Sequence, residues 1–371
     1  MRLKQYALYL ILALVFNPAN AGNIAPEQDD SYHALKHEHG NKGIFHNLIS
    51  FGDSLSDVGT YQVGTIAALG GGQFTVNSPG AKNWTAVVAE KYGMDKPCAA
   101  LTGLDGDPNL GLSAMPPTAH PECTGYAEGG ARVTDPIGIG NKLTGGANAA
   151  LGFLTYPVFQ QIQNHLDTHK NKFDEHDLVL VMAGANDVFF QLALLQSGAT
   201  DAEHAISAII NAANELTDDI NSKIVGNGAK HVVVLNIPDI AITPLGTSFD
   251  LQTRGFVDLL VTSFNTQLAN GLSGNKRVLY VDAYTDSYSQ YTNPGAYGLT
   301  NVTDTACDLS PDKNFLASSL ICSAANLAPG AAESWLFADR VHPTPYAYGL
   351  IAKLVISEIS KRGWDKKPKD D

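Results

Sequence analysis

The chain has 371 residues, 44% of them hydrophobic, with four cysteines and a formal charge of −13. That acidic balance argues against nucleic-acid binding, which draws on basic patches; it favours solubility and leaves the fold open. One domain per roughly 150 residues is only a soft guide, so a single α/β domain with loop insertions accommodates this length.

In chain order, Met1-Arg2-Leu3-Lys4-Gln5 precedes an apolar run from Tyr6 to Phe16 and then Asn17-Pro18-Ala19-Asn20-Ala21. A basic start, a short apolar core and an Ala-x-Ala ending predict a secretory signal peptide over residues 1–21, cleaved after Ala21. The run falls short of the about 20 apolar residues that span a bilayer. The expected destination is therefore the periplasm or the medium. Residues 22–43 are polar and carry His33, His37 and His39. A flexible lead-in is expected there in preference to a metal-binding tract.

From residue 44 to 364 a single domain is expected, followed by a charged tail, 365–371. Leu48–Phe51, Leu178–Ala183, His231–Ile237 and Arg277–Asp282 are short and continuously apolar, as strands covered on both faces are. Helical spacing of apolar residues marks Asn83–Tyr92, Phe159–His169, Ala202–Ile224, Phe256–Leu272 and Thr344–Lys361. Strands alternating with helices predict an α/β fold, a mainly parallel sheet between two helical layers.

Two long stretches interrupt the alternation. Residues 95–150 are rich in Gly, Pro and small residues, and 284–334 in Tyr, Thr, Asn, Ser and Ala. Both are expected to be irregular loops of the kind that form binding walls or surface decoration. Each holds one cysteine pair, Cys98 with Cys123 and Cys307 with Cys322. Four cysteines permit three pairings; the two local ones, each closing one loop, are expected in an exported chain. No pair has the close spacing of a zinc site, and no metal is expected.

The candidate chemistry begins directly after the first strand, at Gly52-Asp53-Ser54-Leu55. Alone, Ser54 could as well cap a helix. Tyr126-Ala127-Glu128-Gly129-Gly130-Ala131 offers paired glycines whose N–H groups can approach a bound oxygen. Gly184-Ala185-Asn186-Asp187 follows the second strand, at the carboxyl end where open α/β sheets bind ligands. Asn186 can donate an uncharged N–H to an oxyanion there, or serve as a turn residue beside a capping Asp187. Asp339-Arg340-Val341-His342-Pro343 places a carboxylate three residues before an imidazole at a helix entrance. A carboxylate on one ring nitrogen leaves the other free to accept a serine proton.

With these four segments in this order, the chain resembles the GDSL, or SGNH, hydrolase family, named after its Ser, Gly, Asn and His. The resemblance spans nearly the whole chain after the leader. It implies a flavodoxin-like three-layer α/β/α sandwich, Ser54 as nucleophile, His342 as base and Asp339 as its orienting group. It further implies an oxyanion hole built from the Ser54 N–H, one of the paired glycines (Gly130 in preference to Gly129) and Asn186. No cofactor is expected.

The activity so implied is hydrolysis of carboxylic esters through an acyl-enzyme, with acyl transfer to an alcohol open to the same site. Export and the cysteine pair before Asp339 resemble the bacterial lipase, lysophospholipase and acyltransferase branch. The insertions Val63–Phe74 and Ala99–Pro117 are expected to wall an acyl chain. Carbohydrate O-acetyl groups are the alternative substrate, with Tyr284–Tyr297 able to stack on sugar rings. A non-catalytic exported binding protein on this fold would lack at least one of these residues, and none is missing. The expected partners are a small ester or lipid and, transiently, membrane lipid, with the protein a monomer and no nucleic acid involved.

Overall fold

The computed structural model describes residues 44–145, 149 and 151–366. The expected leader, the lead-in with its three histidines and most of the charged tail lie outside these residues. The central sheet joins β1 (Asn47–Gly52), β4 (Asp177–Met182), β5 (His231–Leu235) and β6 (Val278–Val281), in that spatial order and all parallel. A short segment at Gly125 bridges the outer edge of β1 in parallel, with Ser50 N–H donating to Thr124 O at 3.0 Å and Tyr126 N–H to Ser50 O at 2.8 Å.

Counting that segment, the members of the central sheet lie in the order second, first, third, fourth, fifth. This is the flavodoxin-like winding, whose switch point falls between β1 and the strand across from the edge segment, here β4. The continuous apolar runs follow from the layering. Ile49, Phe51, Val179, Val181, Val232 and Val234 pack on one side of the sheet against α3 (Val158–Thr168), α5 (Ala202–Asp219) and α7 (Leu251–Leu272). The alternate residues Leu48, Leu178, Leu180, Val233 and Leu235 pack on the other side against α2 (Trp84–Lys91) and α9 (Pro345–Arg362). Both faces of the sheet are largely buried, so no polar alternation remains to read.

The helix ends carry the expected signals. Asn83 accepts from Ala86 N–H ahead of α2, and Thr344 from Ala347 N–H ahead of α9, with Pro345 in the first helical turn. The expected helix Ala202–Ile224 changes character midway: α5 ends at Asp219 and the next turn, Ile220–Val225, is π-helical.

The two stretches expected to be irregular contain regular structure. Residues 95–150 include the antiparallel pair β2 (Leu101–Leu104) and β3 (Met115–Ala119). Residues 284–334 hold most of α8 (Ala283–Thr292) and the strand β7 (Asn301–Thr305), which pairs with β8 (Trp335–Phe337). Serine, threonine and tyrosine in α8 give it a weak intrinsic helical tendency; its start is set by Asp282, whose carboxylate accepts from Thr285 N–H. Both local disulfides form, Cys98–Cys123 and Cys307–Cys322. The first pins the strap whose Cys98 O accepts from Gly125 N–H, beside the edge segment.

Candidate active site

Ser54 sits where β1 ends, in a turn and not at a helix start, so its capping role is excluded. Asp53 closes the turn: its carbonyl accepts from Ser56 and Asp57 N–H at 3.0 Å and its carboxylate from Leu55 N–H at 3.0 Å. The residue before the turn has to be glycine. Gly52 has φ +150°, and a Cβ there would lie 2.1 Å from Met182 O of β4. The Gln161 side chain holds Gly52 from the other side, accepting its N–H at 2.9 Å and donating to its carbonyl at 2.8 Å. Strand, turn and serine are thereby fixed relative to β4.

His342 faces Ser54 across 288 residues of sequence, with Nε2 2.9 Å from Ser54 Oγ. Its Nδ1 lies 2.8 and 2.9 Å from the two Asp339 carboxylate oxygens. An ionised carboxylate only accepts, so Nδ1 carries the proton and Nε2 is left to accept from the serine hydroxyl. Asp339 is buried and also accepts from Val341 N–H at 2.9 Å, His342 N–H at 2.8 Å and Ser319 N–H at 2.7 Å. Burial acts to raise its pKa, but the adjoining His342 ring and these hydrogen bonds outweigh burial and hold it well below the usual carboxylate range. Phe74 packs on the imidazole at 4.9 Å between ring centroids.

Two loops bring Ser54 and Gly130 to the same cavity. Gly129 N–H is occupied, donating to Asp57 Oδ2 at 2.9 Å. Gly130 N–H and Ser54 N–H have no acceptor among the described residues. Gly130, not Gly129, lines the same cavity as Ser54 and Asn186, which singles out Gly130 of the pair. Its φ of +82° and a would-be Cβ 2.0 Å from Ile139 O restrict the position to glycine. Asn186 lies in the first turn of α4 (Ala185–Ser197), directly after β4, and donates one amide hydrogen to Ala131 O at 2.9 Å. That bond aims its Nδ2 at the Gly130 loop.

Asp187 does not cap α4. It accepts from Arg132 Nε and Val133 N–H, each at 3.1 Å, and so ties the far side of the glycine loop to the helix. Burial pushes Asp187 up to about 6 despite Arg132. Burial likewise pushes Asp53 to about 7 and Asp57 to about 6, with N–H donors opposing it in both.

These groups open onto a cavity of about 550 Å³. Its walls are mainly apolar, with Phe189 and Leu192 from α4, Ile237 and Ile242 after β5, and Leu245 and Phe249 beyond them. The expected wall of Val63–Phe74 and Ala99–Pro117 contributes only Phe74. Ile66, Leu104 and Leu112 are instead buried behind that wall, in the cluster whose members Phe74 and Phe153 face the cavity. The tyrosines of Tyr284–Tyr297 do not line the cavity either; α8 turns Asp286, Ser287 and Gln290 towards it.

Sequence reasoning placed Ser54, Asp339, His342, Gly130 and Asn186, and the structure brings all five together. It missed the long-range contacts of Asp57 with Gly129, of Gln161 with Gly52 and of Ser319 with Asp339. His46, Asp174 and His176 bring potential metal-ligating atoms together, but they precede β1 and β4 and sit at the opposite end of the sheet.

The family model described as GDSL-like lipase/acylhydrolase matches residues 48–355. Among curated proteins, the chain is similar to Lipase 1 of Photorhabdus luminescens (22% identity, over 86% of this chain and 51% of that protein). It is also similar to a GDSL esterase/lipase of Arabidopsis thaliana (24% identity, 89% and 90%) and to the phosphatidylcholine-sterol acyltransferase of Aeromonas hydrophila (28% identity, 46% and 49%). It spans about half the length of most of the curated relatives it matches. Solved structures with some likeness include an acetyl-xylooligosaccharide esterase of Geobacillus (13% identity, TM-score 0.38, 85% of this chain and 95% of that one). Another is LAE5, an α/β hydrolase from a lake metagenome (14% identity, TM-score 0.41, 87% and 99%).

Proposed function

The chain belongs to the GDSL-like lipase/acylhydrolase family, and on that footing we propose that it is a serine ester hydrolase acting on esters of long-chain fatty acids. The observation that carries the reading is the Ser54–His342–Asp339 chain of contacts, 2.9 Å and 2.8 Å long, at the wall of a mainly apolar cavity. Ser54 Oγ attacks the acyl carbonyl carbon while His342 Nε2 takes its proton. The oxyanion receives hydrogen bonds from the Ser54 and Gly130 N–H groups and the Asn186 amide. His342 then returns the proton to the leaving alcohol as the C–O bond breaks, leaving an acyl group on Ser54.

In the second half, His342 removes a proton from water, the hydroxide oxygen attacks the acyl carbon, and the fatty acid departs as Ser54 regains its proton. An acceptor alcohol in place of water gives acyl transfer. Asp339 stays ionised throughout and stabilises the imidazolium. The two disulfides, in a chain whose first residues read as a leader, support action in an oxidising compartment outside the cytoplasm.

The test is turnover of p-nitrophenyl esters from acetyl to palmitoyl, of lysophospholipid and of an acetylated polysaccharide, beside Ser54→Ala. The reading expects Ser54-dependent kcat/KM to rise with acyl length. Activity confined to acetyl groups would move the enzyme to the carbohydrate esterases, and no Ser54-dependent turnover on any of them would leave a binding protein.

A further inference from the structure

We infer that Arg340 forms a subsite for the phosphate of the substrate's head group, so that the enzyme prefers phosphate-bearing lipid esters to neutral ones; this rests on the lipid-ester reading above. Four carboxylates line the catalytic cavity, Asp53, Asp239, Asp286 and Asp339, and Arg340 is the only lysine or arginine among its lining residues. With a net charge of −13 on the chain as well, Arg340 is the one lysine or arginine of the lining that attracts an anionic substrate.

Arg340 is also not spent on any of those carboxylates. Among the described residues it forms no ion pair, and the hydrogen bond of its guanidinium is a single one, from Nη2 to Ser248 Oγ at 3.0 Å. Arg132, by contrast, pairs with Asp135 and Asp187. Leu245 and Phe249 flank Ser248 in the chain and line the cavity, so the guanidinium lies at its edge. The backbone there is held in place, since Arg340 O accepts from Leu245 N–H at 2.9 Å. Two residues further on is His342.

An acyl chain in the apolar interior and its ester carbonyl at Ser54 leave the head group at the cavity's edge. A planar guanidinium with unused N–H donors fits a phosphate there in bidentate fashion. The competing role for Arg340 is a strut, joining its loop to Ser248 and doing nothing else.

The experiment compares 1-palmitoyl lysophosphatidylglycerol with 1-palmitoylglycerol, both in micelles of neutral detergent, for wild type, Arg340→Gln, Arg340→Lys and Ser248→Ala. The expected result is a fall in the kcat/KM ratio, phosphate-bearing over neutral, of roughly 10- to 100-fold in Arg340→Gln, carried mainly by KM. Arg340→Lys keeps part of the ratio, and Ser248→Ala keeps nearly all of it. An unchanged ratio in Arg340→Gln overturns the subsite while leaving the lipid reading intact. An equal fall in Ser248→Ala makes Arg340 a strut. Wild type inactive on both palmitoyl esters yet active on acetyl esters overturns the lipid reading and the subsite with it.

Discussion

Replacing Asp57 by asparagine tests the oxyanion loop at one remove from the chemistry. Asp57 Oδ1 accepts from Gly59 and Thr60 N–H, both at 2.8 Å, and Oδ2 accepts from Gly129 N–H at 2.9 Å. Asparagine keeps two of these bonds if its oxygen faces Gly59 and Thr60, but its NH2 then meets the Gly129 N–H, donor against donor. One buried donor is left without a partner, at a cost of roughly 1–3 kcal/mol. Because Gly130 follows directly, its N–H moves off the oxyanion, and kcat falls towards the roughly 10²–10³-fold loss of a missing donor, with KM little changed.

A second signature of the same substitution depends on pH. Burial raises the Asp57 carboxyl from 3.8 to about 6, so between those values the folded protein holds a proton that the unfolded chain has released. The contribution is full below pH 4 and is lost as pH rises through about 6, a change of at most about 3 kcal/mol. Asparagine does not titrate. The stability gap between wild type and Asp57→Asn is therefore widest near pH 4 and narrows towards pH 7.5. Steady-state kinetics at pH 7.5 and urea unfolding at both pH values check this. A kcat within twofold of wild type, or a gap that widens as pH rises, would refute the reasoning.

Asn186→Ala should lower kcat by roughly 10²–10³-fold on any ester the enzyme takes, and undiminished turnover would remove Asn186 from the mechanism. Gly52→Ala forces a Cβ to 2.1 Å from Met182 O at φ +150°; urea unfolding should show a loss of at least the roughly 1–3 kcal/mol of a strained residue, and wild-type stability would contradict the close β1–β4 approach. Replacing either cysteine pair by serine should cost about 3 kcal/mol of stability. Only the Cys307–Cys322 pair should also lower kcat, because Ser319, which donates to Asp339, sits in that loop; an equal kcat loss from the Cys98–Cys123 pair would contradict this.

What could be read from the sequence had a local physical cause. The strands of the sheet are largely apolar on both faces because α2 and α9 cover one face and α3, α5 and α7 the other. Ser54 and Asn186 follow β1 and β4 without an intervening loop, so the ends of the runs marked the site. Asp339 and His342 are three residues apart, and Pro343 marks the approach to a helix. The supporting residues gave no such signal. Asp57 reaches Gly129 across 72 residues, Gln161 reaches Gly52 across 109, and Ser319 reaches Asp339 across 20.

The cavity wall was misread for a related reason. Glycine-rich and apolar segments such as Val63–Phe74 look suited to holding a chain, yet Ile66 packs with Leu104 and Leu112 behind Phe74 and Phe153 and does not reach the cavity. Much of the apolar lining comes instead from α4 and the 237–249 segment, whose side chains look in sequence like ordinary core. Paired glycines in Glu128-Gly129-Gly130 left a one-residue ambiguity; the Asp57 contact to Gly129 and the place of Gly130 at the cavity favour Gly130.

The most direct measurement is intact-mass and peptide mapping after reaction with a long-chain alkyl fluorophosphonate, for wild type, Ser54→Ala and His342→Ala. The account predicts a single adduct on Ser54, none in Ser54→Ala, and labelling of Ser54 slowed by orders of magnitude in His342→Ala. An adduct on another residue, or labelling that persists in Ser54→Ala, would contradict it.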